Sequence, residues 1–131
     1  MTEENDAKLV AKYPKLFRDV KQVETDDGWF DLLDTLCNQL QSRANWIIES
    51  KKRIEPDMFE DDLQPVVAQI KQKFSSLRAY FDNCDDEMRG MIQMAEAMSY
   101  HICEGCGAKA TVSTTGWVRR LCLPCSEVKL R

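Results

Sequence analysis

Four of the six cysteines form two Cys-x-x-Cys pairs near the C-terminal end of the chain. Cys103 and Cys106 are the first pair, Cys122 and Cys125 are the second, and fifteen residues separate the pairs. Two residues between cysteines let one tight turn direct both thiolates at a single ion, and the intervening stretch can run out and back. This spacing predicts one structural zinc ion, with ordinary thiols or two disulfides as the alternative. Four thiolates leave zinc no open position for substrate, so no chemistry is expected there.

The residues between the two pairs predict a small β-hairpin that turns at Thr115 and Gly116. Gly105 and Gly107 suit the positive φ angles that a metal-binding knuckle commonly needs. Residues 126–130 favour a final helical turn, which would make the module treble-clef-like; without that turn it would be a zinc ribbon. We expect residues 100–131 to be a zinc-binding module packed on a helical body.

Residues 1–99 predict that body, a mainly α arrangement of three or four helices. Short helices are expected over residues 6–12 and 14–20, and Thr25, Asp26 and Asp27 offer N-cap side chains for a long helix. That helix is predicted from Asp27 to about Lys52. Its apolar residues form one broad stripe, which comprises Trp29, Phe30, Leu33, Leu36, Cys37, Leu40, Ala44, Ile47 and Ile48.

Two later segments also carry apolar residues at helical spacing. Residues 63–81 predict a helix, with a short strand over residues 77–81 as the alternative because that stretch alternates and carries two aromatic residues. Residues 88–98 predict a further helix, in which Gly90 is expected to cost stability or to allow close packing. Its four methionines indicate either core or an adaptable binding surface; they are Met88, Met91, Met94 and Met98.

Two features outside the cysteines are candidate partner-binding sites. Trp46 lies away from the apolar stripe of the long helix, so it is either covered by the N-terminal segment or an exposed anchor for a partner. Asp57, Asp61 and Asp62 belong to an acidic stretch that lacks the ligand spacing and the glycine of a calcium loop. A solvated connector is the expected structure there.

Composition places the chain among soluble globular proteins, with 44% hydrophobic and 31% charged residues. No apolar run approaches the roughly 20 residues that a membrane span requires, and the acidic N-terminus is unlike a signal peptide. We therefore expect a cytoplasmic protein with reduced cysteines and no membrane partner.

Charge and motifs weigh against two function classes. Residues 1–99 carry 13 Lys/Arg against 20 Asp/Glu, a net charge of −7, and residues 100–131 carry 5 against 2, a net charge of +3. Four zinc-bound thiolates would lower the latter to about +1, so nucleic-acid binding is the alternative function. Its candidate contacts are Lys109, Trp117, Arg119, Arg120, Lys129 and Arg131. An enzyme is not expected, because the chain has no Gly-rich phosphate loop and His101 is its only histidine.

Several phrases occur in order along residues 27–125: DGWFDL at 27–32, IKQKF at 70–74 followed by Leu77-Arg78, AEAMS at 95–99, CEGCG at 103–107 and GW at 116–117. Together they resemble a family of small, largely uncharacterised bacteriophage and prophage proteins. The resemblance implies a phage-encoded accessory protein in the cytosol of the bacterial host, where such proteins often bind and redirect host machinery. With the acidic body, Trp46 and the methionines, it leads us to expect a non-enzymatic protein that binds a host protein and inhibits a host defence or regulatory machine. Members tend to have Gly near position 75, which favours the strand alternative for residues 77–81.

Helices followed by a four-cysteine module also resemble the DksA/TraR-type zinc-finger proteins, which enter the secondary channel of RNA polymerase. That resemblance implies an RNA-polymerase-binding transcription regulator as an alternative, with Asp57, Asp61 and Asp62 as its acidic tip. The fifteen-residue gap and the Gly-Trp phrases depart from its pattern. The oligomeric state stays open, with a homodimer among the options.

Overall fold

Two helices form the first half of the fold. This computed structural model describes residues 1–129, in which helix α1 spans Glu3–Lys12 and helix α2 spans Phe30–Ile54. The long predicted helix is confirmed, and its buried residues belong to the predicted stripe. A helix over residues 14–20 was a wrong prediction. These residues form turns. In a helix the carbonyl of Leu16 would accept the N–H four residues later, but here it accepts the backbone N–H of Val67 (2.8 Å).

The start of α2 is built differently from the predicted N-cap. A 3-10 turn over Asp27–Trp29 leads into α2, and Asp26 precedes the turn without a side-chain capping bond. The carboxylate of Asp27 instead accepts the backbone N–H of Thr2 (2.9 Å), just before α1. Asp27 therefore connects the start of α2 to the N-terminal segment, and neither acidic side chain caps α2.

An antiparallel hairpin replaces the helix that residues 63–81 predict. Strand β1 spans Val66–Lys73 and strand β2 spans Ser76–Asp82, so the strand alternative for residues 77–81 is correct and the helix is wrong. A bulge between Val67 and Gln69 places Val67 and Ile70 on the same buried face. A spacing of three between buried residues imitates one helical turn, which explains the error.

Both edges of this hairpin are covered. Glu24 lies along β1 in parallel, donating its N–H to the carbonyl of Ile70 (2.8 Å) and accepting from the N–H of Gln72 (3.1 Å). Helix α3, Asp86–Ser99, covers β2: the Ser99 hydroxyl accepts the N–H of Leu77 (2.8 Å). These contacts occupy backbone groups along both outer edges of the first hairpin, which leaves less of each edge for pairing with another chain.

The C-terminal module follows α3 directly. Strands β3 (Val112–Ser113) and β4 (Arg120–Leu121) form the predicted small hairpin, and helix α4 spans Leu123–Lys129. The predicted final helical turn is therefore present over its described part, while Leu130 and Arg131 lie outside the described residues. One main core joins α1, α2, the first hairpin and α3. Within residues 1–129 no helix is both long and apolar enough to cross a membrane.

We expect Phe74→Asn to stabilise the protein by up to about 1 kcal/mol. Phe74 and Ser75 connect β1 to β2 with positive φ angles of 50° and 69°, a conformation that Asn tolerates better than a bulky residue. Because the Phe74 side chain is 74% exposed, little packing is lost. Chemical denaturation measures the change.

Phe59→Asn is the matched control for that substitution. Phe59 is also exposed (66%), but its φ is −91°, so the same replacement relieves no backbone strain there. Equal effects of the two substitutions would contradict the explanation.

Candidate metal centre

Four sulfur atoms converge at the junction of the second hairpin and α4. The Sγ atoms of Cys103, Cys106, Cys122 and Cys125 all lie within 4.8 Å of one another, and those of Cys106 and Cys122 are 3.6 Å apart. Around a tetrahedral ion with metal–sulfur bonds of about 2.3 Å, sulfurs lie about 3.8 Å apart. All six cysteines are free thiols, so the disulfide alternative is not what the chain adopts. The four cysteines are positioned to hold one metal ion.

Local backbone geometry explains the glycines of the first pair. Gly107 adopts φ +87°, as predicted, and its N–H donates to the carbonyl of Cys103 (2.9 Å). Gly105 does not have a positive φ, so that part of the prediction is wrong. A Cβ at Gly105 would lie 3.1 Å from the Sγ of Cys125. A side chain at position 105 would therefore require this sulfur to shift by a few tenths of an ångström.

The thiols influence the ionisation of one another. Burial raises the pKa of Cys103, but backbone N–H groups of Cys122, Cys106 and Gly105 outweigh burial and lower the pKa to about 7. Hydrogen bonding with Cys122, followed by burial, raises the pKa of Cys125 to about 12. Four thiolates cannot all be charged at neutral pH without a cation between them. A metal ion held by the four cysteines would supply that cation.

The first cysteine pair is fastened to the start of α2. The N–H of Gly28 donates to the carbonyl of Glu104 (2.7 Å), and the buried indole of Trp29 donates to the carbonyl of Ile102 (2.9 Å). A Cβ on Gly28 would lie 2.2 Å from the carbonyl oxygen of Cys103, so only glycine allows this approach. Gly28 and Trp29 therefore form one contact between the body and the four-cysteine centre.

A buried ion pair forms a second connection. Arg119 is 8% exposed, and its Nε donates to the Glu104 carboxylate (3.1 Å) while its Nη2 bonds to Asp26. Glu104 also accepts the backbone N–H of Asp26 (3.0 Å). The guanidinium is therefore bound by two carboxylates: Glu104 belongs to the metal-binding knuckle and Asp26 belongs to the body. Removing one partner of such a buried pair leaves an uncompensated charge.

The residues considered for nucleic-acid contacts are in different environments. Arg119 is occupied by its ion pairs, and Arg120 donates to the carbonyl of Tyr100 (3.0 Å), to the Ser113 hydroxyl (2.9 Å) and to a further carbonyl. Lys109 and Trp117 are exposed. Nothing is described of the Lys129 side chain or of Arg131, so a role for this surface stays a prediction that rests on Lys109 and Trp117.

The candidate partner-binding residues are exposed but lie in separate places. Trp46 is 60% exposed on α2, so the alternative in which the N-terminal segment covers it is wrong. Its ring stacks with the guanidinium of Arg43, whose carbon lies 4.9 Å from the ring centroid. Asp57, Asp61 and Asp62 are exposed in the connection from α2 to β1. That connection joins a helix to a strand, and not two helices of a coiled coil.

An apolar groove between α2 and α3 has no counterpart in the sequence interpretation beyond the methionines. Its volume is about 410 Å³. Met94 and Met98 are 63% and 47% exposed on its α3 side, whereas Met88 is fully buried in the core. The groove is lined by Asp31, Leu32, Thr35, Leu36, Gln39, Met91, Met94, Ala95, Met98 and Ile102. The methionines of α3 therefore divide between core and surface.

Ile102 joins the groove to the metal centre. It lines the groove, its carbonyl accepts the Trp29 indole N–H, and Cys103 follows it directly. One end of the groove therefore depends on the position of the first cysteine pair.

These contacts define a helical protein with a four-cysteine metal centre that is connected to its body. No family model matches the chain, and searches of curated proteins and of solved structures return no significant match.

We expect Gly28→Ala to destabilise the protein by about 2–3 kcal/mol and to weaken metal retention. The new methyl group would overlap the backbone of the metal-binding knuckle, which cannot move without displacing Cys103. Thermal denaturation and the metal content after dialysis measure the two effects.

Gly90→Ala is the matched control. The prediction of close packing at Gly90 is wrong, because a Cβ there meets nothing within 4 Å. Alanine should therefore stabilise α3 by about 1 kcal/mol and leave the metal content unchanged. Loss of metal in both variants would contradict the assigned role of Gly28.

Proposed function

We propose that this is a non-enzymatic protein-binding protein whose zinc centre stabilises the fold and whose groove between α2 and α3 is the docking site. One observation carries the proposal: an apolar groove that presents two half-exposed methionines to solvent. Methionine is flexible and polarizable, so it adapts to the shape of a partner. Large exposed apolar patches on soluble proteins commonly mark interaction sites.

The geometry of the groove favours a helical segment as the partner. The groove lies between two helices, and α3, with 14 residues, is about 21 Å long. A partner helix of similar length, lying along both, would bury its apolar face against the methionines. In the setting that the phage resemblance implies, this segment belongs to a host protein in the bacterial cytosol, and binding inhibits a host defence or regulatory machine.

Zinc is the metal we propose for the four-cysteine centre. Four thiolates in tetrahedral reach are typical of structural zinc, with iron as the other common occupant of an all-sulfur site. The first pair lies in a glycine-containing knuckle and the second pair begins α4, after the intervening hairpin. We infer that this module is treble-clef-like, and that the ion joins the knuckle to α4.

A non-enzymatic role is consistent with the environment of the carboxylates on α2. The Asp34 carboxylate accepts hydrogen bonds from the ammonium of Lys12 (3.0 Å) and the hydroxyl of Tyr13 (2.6 Å). It fastens α1 to α2 and is not paired with Asp31 as a catalytic acid and base would be. Cys37 is buried and burial raises its pKa to about 12, so it is a poor nucleophile.

Protein purified under reducing conditions should contain one zinc ion per chain and little iron, as measured by elemental analysis. Chelation or Cys106→Ser should release the ion and lower the melting temperature, because metal binding is coupled to folding. Cys84→Ser is the control, since Cys84 is half-buried outside the cluster. Unchanged melting after complete removal of the metal would show that the centre does not stabilise the fold.

For the docking site we expect Met94→Glu to reduce the capture of a host protein strongly. Affinity-tagged wild-type protein would be incubated with lysate of the bacterial host, and the bound proteins identified by mass spectrometry. A carboxylate in the middle of the groove must be desolvated when a partner binds, which should weaken binding at least about tenfold.

Gln93→Glu introduces the same charge at the neighbouring exposed position, which does not line the groove. It should capture the host protein as the wild type does. A partner that is retained by both variants binds elsewhere, and the groove is then not its docking site.

A further inference from the structure

The helix faces that border the groove continue beyond it. On α2, residues at alternating spacings of three and four share one side of the helix: Leu32, Thr35, Gln39, Ser42 and Trp46. On α3 the corresponding series is Glu87, Met91, Met94 and Met98. Such spacing is what a third helix requires for packing along the pair. Trp46 therefore lies on the extension of the groove and is not a separate site.

Arg43 fixes the direction of the two helices relative to each other. Its guanidinium contacts Asp85 and Glu87 at the start of α3, at 3.1 Å each. At the other end of α3, Ile102 contacts Trp29 before the start of α2. The helices are therefore antiparallel, and the groove has a Trp46 end and a metal-centre end.

At each end of the groove the carboxylates outnumber the cations that form ion pairs with them. At the Trp46 end, one cation, Arg43, serves two carboxylates, Asp85 and Glu87. At the metal-centre end, Asp31 lines the groove, and none of the ion pairs formed within residues 1–129 includes it. Asp31 and Arg43 are twelve residues apart on α2, which places the two ends about 18 Å apart.

We propose that the groove binds a positively charged amphipathic helix with a cationic side chain near each end and an apolar stripe between them. This rests on the proposed protein-binding function and specifies the chemistry of the partner. The apolar stripe covers Met94 and Met98, and the two cations pair with Asp31 and with the Asp85–Glu87 carboxylates. The net charge of −7 on residues 1–99 favours the encounter with such a segment.

Three labelled peptides of about 16 residues test the proposal with the full-length metal-bound protein. The first is a helix with a leucine stripe and arginines about eleven or twelve residues apart. The second has glutamate in place of both arginines, and the third has the composition of the first in an order that is not amphipathic. Fluorescence anisotropy at low salt should show the first binding at least about tenfold more tightly than either control. High salt should narrow the gap between the first and the second peptide.

Two protein variants locate the binding site. The double substitution Met94→Gln and Met98→Gln should weaken the first peptide about tenfold or more, because it removes the apolar contact. Asp31→Asn should weaken it about two- to fivefold at low salt, as expected for one exposed ion pair. Asp57→Asn removes the same charge from the acidic connection and should have no effect. Circular dichroism of each variant confirms that folding is retained.

Several results would overturn the proposal. Equal affinity for the arginine and glutamate peptides would show that charge does not select the partner. Loss of binding in Asp57→Asn but not in Asp31→Asn would place the cations at the acidic connection. Sedimentation that shows a dimer, dissociated by the methionine substitutions, would assign the groove to a second copy of this chain.

The peptide experiment and the host-lysate experiment can fail separately. If no peptide binds while host-protein capture still depends on Met94, the groove is a docking site for a partner of different chemistry. If the first peptide binds at the groove but no host protein is captured, the inferred chemistry stands and the proposed biological role fails.

Discussion

Four sulfur atoms within 4.8 Å of one another are the constraint that brings the knuckle after α3 and the start of α4 together. Four thiolates at this distance cannot all be charged together, and hydrogen bonding with Cys122 and burial already raise the pKa of Cys125. A cation held between them would remove that conflict and would join the knuckle that follows α3 to the start of α4. The effect extends beyond the module, because Gly28 and Trp29 bond to the backbone of residues 102–104. Metal binding and the start of the longest helix are therefore parts of one structural unit.

The groove inherits this dependence. Ile102 lies at one end of the groove and is adjacent to Cys103. On the α2 side of the groove, Leu32 lies only three residues after Trp29. Displacement of the knuckle would therefore move both sides of the groove at that end. Under the proposed function, a metal ion at the four cysteines would influence binding in this way, because it would fix the separation of α2 and α3 at that end. The Trp46 end is positioned independently, by the ion pairs of Arg43.

Local patterns predicted the elements that local physics determines. The cysteine spacing identified the four sulfurs that converge, and the stripe of α2 identified its buried face, because both patterns are local in the sequence. The first hairpin was missed for an equally local reason. Its bulge gives Val67 and Ile70 a helical spacing, and its turn uses Phe74 and Ser75 at positive φ where glycine is usual. The strand alternative rested on the alternation of residues 77–81, which lie beyond the bulge and keep the period of two.

Contacts between distant segments could not be read from the sequence. Arg119 and Arg120 have the composition of a phosphate-binding surface, yet their donors are used by Glu104, Asp26 and backbone carbonyls. Charge counting cannot distinguish a cation that is free from one that is buried in an ion pair. The sequence likewise does not show which methionines of α3 are buried. The apolar face of that helix is wider than the part of it that packs against the core. Met88 lies under that core and Met94 lies outside it, so the uncovered part of the arc, and not the presence of methionine, makes this surface available to a partner.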